Sequence, residues 1–374
     1  MGGSPSGAPD LTALDGLTDG TPSCRRIACV KRRSSSHRAR VKIVNRPEPK
    51  ILVVGAGAVG QAFAYWLIRG GAELTFLVKP KYTESMGAGQ RVYPLNRTRW
   101  KGEDLGRYDV MDDLSEVAQQ SWDQVWLCVA STALTESWLA ELAGAIGSAT
   151  LVSLTPGLED KDRICRFVPE EQVVLGMIPF MSFQAPLPGS TRNVEPGVAW
   201  YVPPFSPTPF SGPSERRDWV IYALEQGGGQ AASHVDVGRS TAAVAAVFQP
   251  YLIALELADW RFRTVRKHAA LKLAQKAGEE ALEVVRRFHG SAPRLPGLLN
   301  RPWVLKAVTY GGPWLPPYDL ETFLRVHFSK VGSQTMAMLE TWCERAEAAD
   351  LPHDALDTLR ESLMEWRARP GADT

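Results

Sequence analysis

Ile51-Leu52-Val53-Val54-Gly55-Ala56-Gly57-Ala58-Val59-Gly60 decides the fold. A short apolar run ends at Gly55 and enters the pattern G-x-G-x-x-G. Residues 61–69 read as a helix, Gly70-Gly71 stops it, and residues 74–78 form a second apolar strand. Strand, glycine loop, helix and strand in this order make a βαβ unit of the kind that holds a dinucleotide. Gly55 permits the tight turn, Gly57 lets backbone approach a pyrophosphate, and Gly60 lets helix and strand pack closely. The amides of Ala58, Val59 and Gly60 then face phosphate at the positive end of the helix dipole.

The end of the second strand indicates which nucleotide. An NAD site carries Asp or Glu about 20 residues past the loop, where it bonds the ribose 2′-hydroxyl. Here the strand ends Leu77-Val78-Lys79-Pro80-Lys81, with no carboxylate until Glu84. Lys79 suits a 2′-phosphate, so NADP(H) is the expected cofactor. Ala130 and Thr155 follow later strands and are expected to face the ribose and nicotinamide.

Outward from this unit, apolar strands alternate with helical stretches as far as residue 178. Residues 91–94, 123–129, 149–154 and 172–178 read as strands, and 132–146 and 160–167 as helices. Such alternation predicts a doubly wound, Rossmann-type parallel sheet. Residues 198–202 read as a further strand and 203–213 as a loop rich in Pro, Ser and Phe. A helix over 214–226, with Ser214 as its N-cap, and a last strand over 231–235 complete this part. Beyond Gly238 the pattern is helical: 240–262, 265–289, 302–308, 320–349 and 354–368. The expected organisation is a basic, disordered extension over 1–48 and a nucleotide-binding α/β domain over 49–237. An all-α substrate and dimerisation domain over 238–369 and a tail over 370–374 follow.

A chain of 374 residues exceeds the roughly 250–300 at which single cores stop growing. A net charge of +1 gives no argument for nucleic acid or an acidic membrane surface. The Arg32–Arg38 stretch is basic but reads as a solvated tail. No run of about 18 apolar residues marks a membrane span, and no apolar segment near the N-terminus marks a secretory signal. The five cysteines are scattered, without metal-ligand spacing. A reducing, cytoplasmic setting and no metal are expected.

This order of parts resembles ketopantoate reductase (2-dehydropantoate 2-reductase). The resemblance rests on the glycine loop 55–60, Lys79, Gly157-Leu158 after the fourth strand, and Glu195-Pro196-Gly197-Val198. It implies hydride transfer from NADPH to a 2-keto acid. A lysine on the first helix of the second domain acts as general acid, asparagines fix the substrate, and a late glutamate binds its hydroxyl end. By this resemblance the lysine position falls on Thr241, and the asparagine positions on Ala245 and Gln249. The lysine after the third strand falls on Ala130, the asparagine after the fourth on Pro156, and the glutamate near Gly332 or Gln334. Nearly every polar residue of the implied machinery is replaced. A ketone needs a donor at the developing alkoxide, and glutamine donates a hydrogen bond but no proton. The candidates left are Gln249 and Lys330, the latter paired with His327 one turn earlier. Trp260, Trp303, Trp314 and Trp342 read as core or as pocket lining. The chain is thus expected to be an NADP(H)-dependent oxidoreductase for a small keto or hydroxy acid or related carbonyl, and not for ketopantoate. The alternative is a catalytically silent NADP(H)-binding sensor. Expected partners are a small-molecule substrate and, through the helical domain, a second copy of the chain.

Overall fold

The computed structural model describes residues 48–369 except Arg99 and Pro156. The extension expected over 1–48 and the tail expected over 370–374 fall almost wholly outside these residues. In chain order the strands are β1 (Lys50–Val54), β2 (Glu73–Leu77), β3 (Arg91–Pro94), β4 (Glu103–Asp104), β5 (Asp109–Met111) and β6 (Gln124–Leu127). They continue with β7 (Thr150–Ser153), β8 (Val173–Gly176), β9 (Met181–Ala185), β10 (Gly197–Tyr201), β11 (Thr208–Ser211) and β12 (Ala231–Ser233).

The main sheet has the order β12-β11-β8-β7-β6-β1-β2-β5. From β5 to β8 every pairing is parallel. The chain runs outward from β1 through β2 to β5, then crosses back to lay β6 on the other side of β1. That reversal is the topological switch point, where ligands bind an open α/β sheet. Ile51, Leu52 and Val53 are wholly buried because both faces are covered. Ile51 and Val53 pack with Phe63 and Leu67 of the helix Ala58–Arg69 and with Leu224 of Ser214–Gln226. Leu52 and Val54 point the other way, onto Leu139 and Leu142 of Glu136–Ile146.

Three sequence expectations are corrected here. The loop expected over 203–213 contains β11, which pairs antiparallel with β8 and parallel with β12. The strand near residue 198 leaves the main sheet. As β10 it joins β4-β3-β10-β9, a second sheet packed on the first helix through Tyr65–Trp200 and Phe63–Phe180 ring contacts at 5.0 and 5.1 Å. Ser214 is the first helical residue and not a cap: Pro213 holds that position, with no side-chain bond.

The helical part is centred on Val237–Leu257 and Ala270–His289, with Gly332–Ala348 and Asp354–Arg367 packed around them. The helix Val237–Leu257 is the one among the described residues with the length and apolarity to cross a membrane, and most of it is buried in this core. The helix expected over 320–349 is broken into Leu320–Lys330 and Gly332–Ala348. A long-range tie holds the start of the second segment. Arg367 donates from Nη1 to the Gly332 carbonyl at 3.1 Å. It also grips Glu256 through Nε and Nη2 at 2.6 and 2.9 Å. A Cβ at Gly332 would lie 3.2 Å from that guanidinium. The paired tryptophans divide: Trp260 and Trp342 are core, whereas Trp303 and Trp314 are exposed.

Glu256 is 8% exposed, so removing its partner leaves a buried charge uncompensated. Arg367→Met should destabilise the chain by about 3–5 kcal/mol. Urea denaturation checks this, and Arg367→Lys should lose less.

Candidate functional site

At the end of β1, Gly55 adopts φ +97°, and its N–H donates to the Leu77 carbonyl at 3.0 Å. A Cβ there would lie 2.9 Å from the Cys128 carbonyl oxygen. A Cβ at Gly60 would lie 2.1 Å from the Gly55 oxygen. Both glycines are therefore demanded by the fold. Gly57 is different. It has ordinary extended angles (φ −70°, ψ −175°), is exposed, and has nothing within 4 Å of a built Cβ. Neither strain nor crowding requires glycine there, so the open space beside it is the feature to explain. The helix that starts at Ala58 has no side-chain cap and no acidic residue in its first turn, so its first amides lack intrahelical acceptors. An anion in front of Gly57 would receive those amides of Ala58, Val59 and Gly60. The residues present thus fit a dinucleotide pyrophosphate. Gln61, 3% exposed, holds the loop by donating to the Ala56 carbonyl at 2.9 Å. The sequence showed it only as one more helical residue.

Lys79 is exposed just past β2, at the cap of the short turn Pro80–Tyr82. Along the chain it stands without an acidic neighbour before Glu84, and a carboxylate, Asp112, follows the adjacent strand. β2 and β5 are adjacent, Val78 N–H donates to the Met111 carbonyl at 2.9 Å, and Asp112 then accepts from the Thr83 hydroxyl at 2.6 Å. This carboxylate comes from a strand too short to announce itself in the sequence.

Ala130 and Thr155 are partly buried at the ends of β6 and β7. Between these loops stands Asp160, 4% exposed. One oxygen, Oδ2, accepts from Ser131 Oγ at 2.5 Å and from Gly157 N–H at 2.8 Å. A side chain at Gly157 would collide with that carboxylate. A cavity of about 940 Å³ opens beyond Thr155, Gly157 and Asp160, toward the start of Val237–Leu257 and the end of Ala270–His289. Burial pushes the His289 imidazole below its ordinary range, against the opposing charge of Asp236. A second cavity of about 70 Å³ lies beside it, lined by Ser131, Asp160, Ala245, Gln334 and Trp342 among others.

The positions implied by the resemblance converge in part. Thr241 lines the large cavity, and Ala245 and Gln334 line the small one. Pro156 lies outside the described residues. Gln249 is on the same helix one turn beyond Ala245, with its Oε1 buried and unpaired, and it lines neither cavity. Lys330 is not brought to the cleft: it is exposed near the end of Leu320–Lys330 and lines neither cavity. His327 packs between Phe323 and Phe328, with ring centroids 5.4 and 4.9 Å away, and burial followed by the Lys330 charge lowers its pKa. Asp160, Arg239 and His289 were not singled out from sequence, because only the packing of distant segments brings them to this place. Among the described residues no cluster of His, Cys, Asp or Glu suits a metal ion.

The sequence signature of the family described as ketopantoate reductase PanE/ApbA matches residues 51–203. Over this stretch, less than half of the chain, the sequence is similar to that family's domain. The fold likeness extends beyond it. A PanE/ApbA family ketopantoate reductase from Ralstonia eutropha JMP134 superposes with a TM-score of 0.66 at 20% identity, covering 84% of this chain and 97% of that one. A ternary structure of D-mandelate dehydrogenase with NADH and anilino(oxo)acetate gives 0.66 at 15% identity, covering 84% and 97%. A 2-dehydropantoate 2-reductase from Geobacter metallireducens GS-15 gives 0.63 at 16% identity, covering 84% and 99%. No curated protein matches the chain by sequence. The two-part plan is therefore that of the ketopantoate reductase fold, with the family signature confined to the sheet-bearing part.

The two kinds of glycine separate in experiment. Gly57→Val should melt within a few degrees of the parent and lose nucleotide binding. Gly60→Val should fail to fold, because its side chain meets backbone. Circular dichroism melts and NADPH fluorescence titration distinguish the two, and normal NADPH binding by Gly57→Val would show the loop to be purely structural.

Proposed function

We propose that the chain is an NADP(H)-dependent oxidoreductase of ketopantoate-reductase-like type. Its substrate would be a small keto or hydroxy acid or a related carbonyl compound, and not ketopantoate. The observation that carries this reading is the open cradle at Gly57, set at the switch point before an uncapped helix. When bound, the nicotinamide supplies or accepts a hydride. The chain's own residues do the rest. The amides of Ala58, Val59 and Gly60 hold the pyrophosphate, and Lys79 meets the 2′-phosphate. The loops at Ala130 and Thr155 support the ribose and nicotinamide, and the helix carrying Thr241 and Ala245 walls the substrate side. A neutral wall at Thr241 and Ala245 supports the reading that ketopantoate is not the substrate. The same neutrality is what favours the second reading, a silent NADP(H) sensor.

The described cysteines, 128, 165 and 343, are free, which supports a reducing, cytoplasmic setting. Leu298, Trp303, Tyr310, Trp314 and Leu315 are all more than half exposed. They support a homodimer in which a second copy covers this apolar stretch.

Cofactor choice is decided by titrating NADPH and NADH. The phosphorylated form should bind more tightly, and Lys79→Asp should narrow or reverse the gap. Equal affinities in the parent would overturn the preference, and tighter NADH binding would give the decision to Asp112. Turnover of ketopantoate should be about 10²–10⁴-fold below that of a family member with the lysine in place. Steady-state NADPH oxidation measures it, and robust turnover would mean that a donor reaches the carbonyl after all.

A further inference from the structure

The cleft has lost the lysine and asparagine of its relatives, yet it holds one buried carboxylate bound to a hydroxyl. Ser131 begins the short turn Ser131–Ala133 directly after the β6 loop. Its hydroxyl proton is committed to Asp160 Oδ2 at 2.5 Å. A serine has one proton to donate and two lone pairs to offer. With the proton directed at Asp160, Oγ is left as an acceptor. Ser131 and Asp160 both line the small cavity, in company with Ala245 and Gln334. Asp160 also lines the large one, so its carboxylate stands between the two spaces. The Gly157 amide fixes it from the β7 side at 2.8 Å. The pair thus joins the two loops that flank the expected nicotinamide position.

We propose that Ser131 is the catalytic residue that meets the reacting substrate oxygen, and that Asp160 positions it and holds its proton. This rests on the oxidoreductase reading above. In the direction of alcohol oxidation, the carbinol C–H bond breaks, and an oxidised nicotinamide, when bound, would take up its hydride. The substrate O–H proton moves to Ser131 Oγ as the serine proton moves to Asp160 Oδ2. The products are the carbonyl compound, the reduced nicotinamide and a protonated Asp160, which returns its proton to solvent. Carbonyl reduction is the reverse, with Asp160 re-protonating the serine as the serine protonates the alkoxide. The proton route of the family's lysine is thereby moved from the helical wall to the loops of the sheet.

Ser131→Ala and Asp160→Asn test the pair. Both hydrogen bonds fall on a single Asp160 oxygen, so asparagine keeps them but cannot carry the proton. The full chain is titrated with NADPH by fluorescence and assayed for NADPH oxidation with phenylglyoxylate, pyruvate, 2-oxoisovalerate and 2-oxoglutarate. With whichever of these the parent reduces, each variant should lose about 100-fold or more in kcat. The double variant should lose little beyond either single one, while KM and NADPH affinity stay within about threefold. Turnover that survives in both variants overturns the pair and leaves the oxidoreductase reading standing. So does a matched loss of kcat, KM and NADPH affinity, which marks a purely structural tie. Failure of the parent to bind NADPH, or to reduce any of the four compounds, overturns both.

Discussion

The rest of the molecule depends on how closely its first helix sits on its first strand. Gly60 lies so near the Gly55 carbonyl that even a methyl group has no room. That contact pins the start of Ala58–Arg69 beside the switch point and points its free amides at the open space by Gly57. The far end of the same helix carries Phe63, Tyr65 and Trp66, which seat Phe180 and Trp200 and so hold the second sheet. The second sheet in turn presents Phe183 to Phe323 at 5.6 Å, in the helix Leu320–Lys330 of the helical part. One tight backbone approach is thereby transmitted through aromatic packing to the far side of the molecule.

What the sequence disclosed and what it hid follow from the range of the interactions. The βαβ unit was legible because its signals are local: an apolar run, three glycines, a helix and a second apolar run within about 30 residues. The parallel strands β6 to β8 were legible because strands covered on both faces are apolar throughout. β11, by contrast, reads Thr208-Pro209-Phe210-Ser211 and resembles a loop until β8 offers it a partner. The break before Gly332 has no breaker strong enough to see from sequence, and the guanidinium that fixes the Gly332 carbonyl lies 35 residues downstream. Asp112 escaped notice because it reaches Thr83 only through the pairing of β2 with β5. The resemblance named Thr241, Ala245 and Gln334, which line two adjoining cavities, but it had no means of finding Asp160, for which it assigned no role. Lys330 was chosen by residue type and proximity in sequence, and the rotation of its short helix leaves it in solvent.

The site shows how chemistry can be redistributed within one architecture. The helical wall facing the cleft is small and neutral at Thr241 and Ala245. Beside the loops after β6 and β7 stands Asp160, held by backbone and hydroxyl donors, while Asp236, Arg239 and His289 line the large cavity from the helical part. Loops at the carboxyl ends of parallel strands are where such variation is cheapest, because the sheet beneath them does not move.

The clamp between Glu256 and Arg367 bears on the order in which the molecule assembles. Its two partners are 111 residues apart in sequence, whereas β1 pairs with β2 through Lys50 and Glu73 and with β6 through Ile51 and Gln124, both shorter spans. Closing a long loop is entropically costly and comes late. The nucleotide-binding sheet can therefore form while Glu256 is still in water. The wall bearing Gln334, which begins at the carbonyl gripped by Arg367, takes its final position only when the distant arginine arrives. A folding intermediate of this chain would carry a finished phosphate cradle opposite an unfinished cleft.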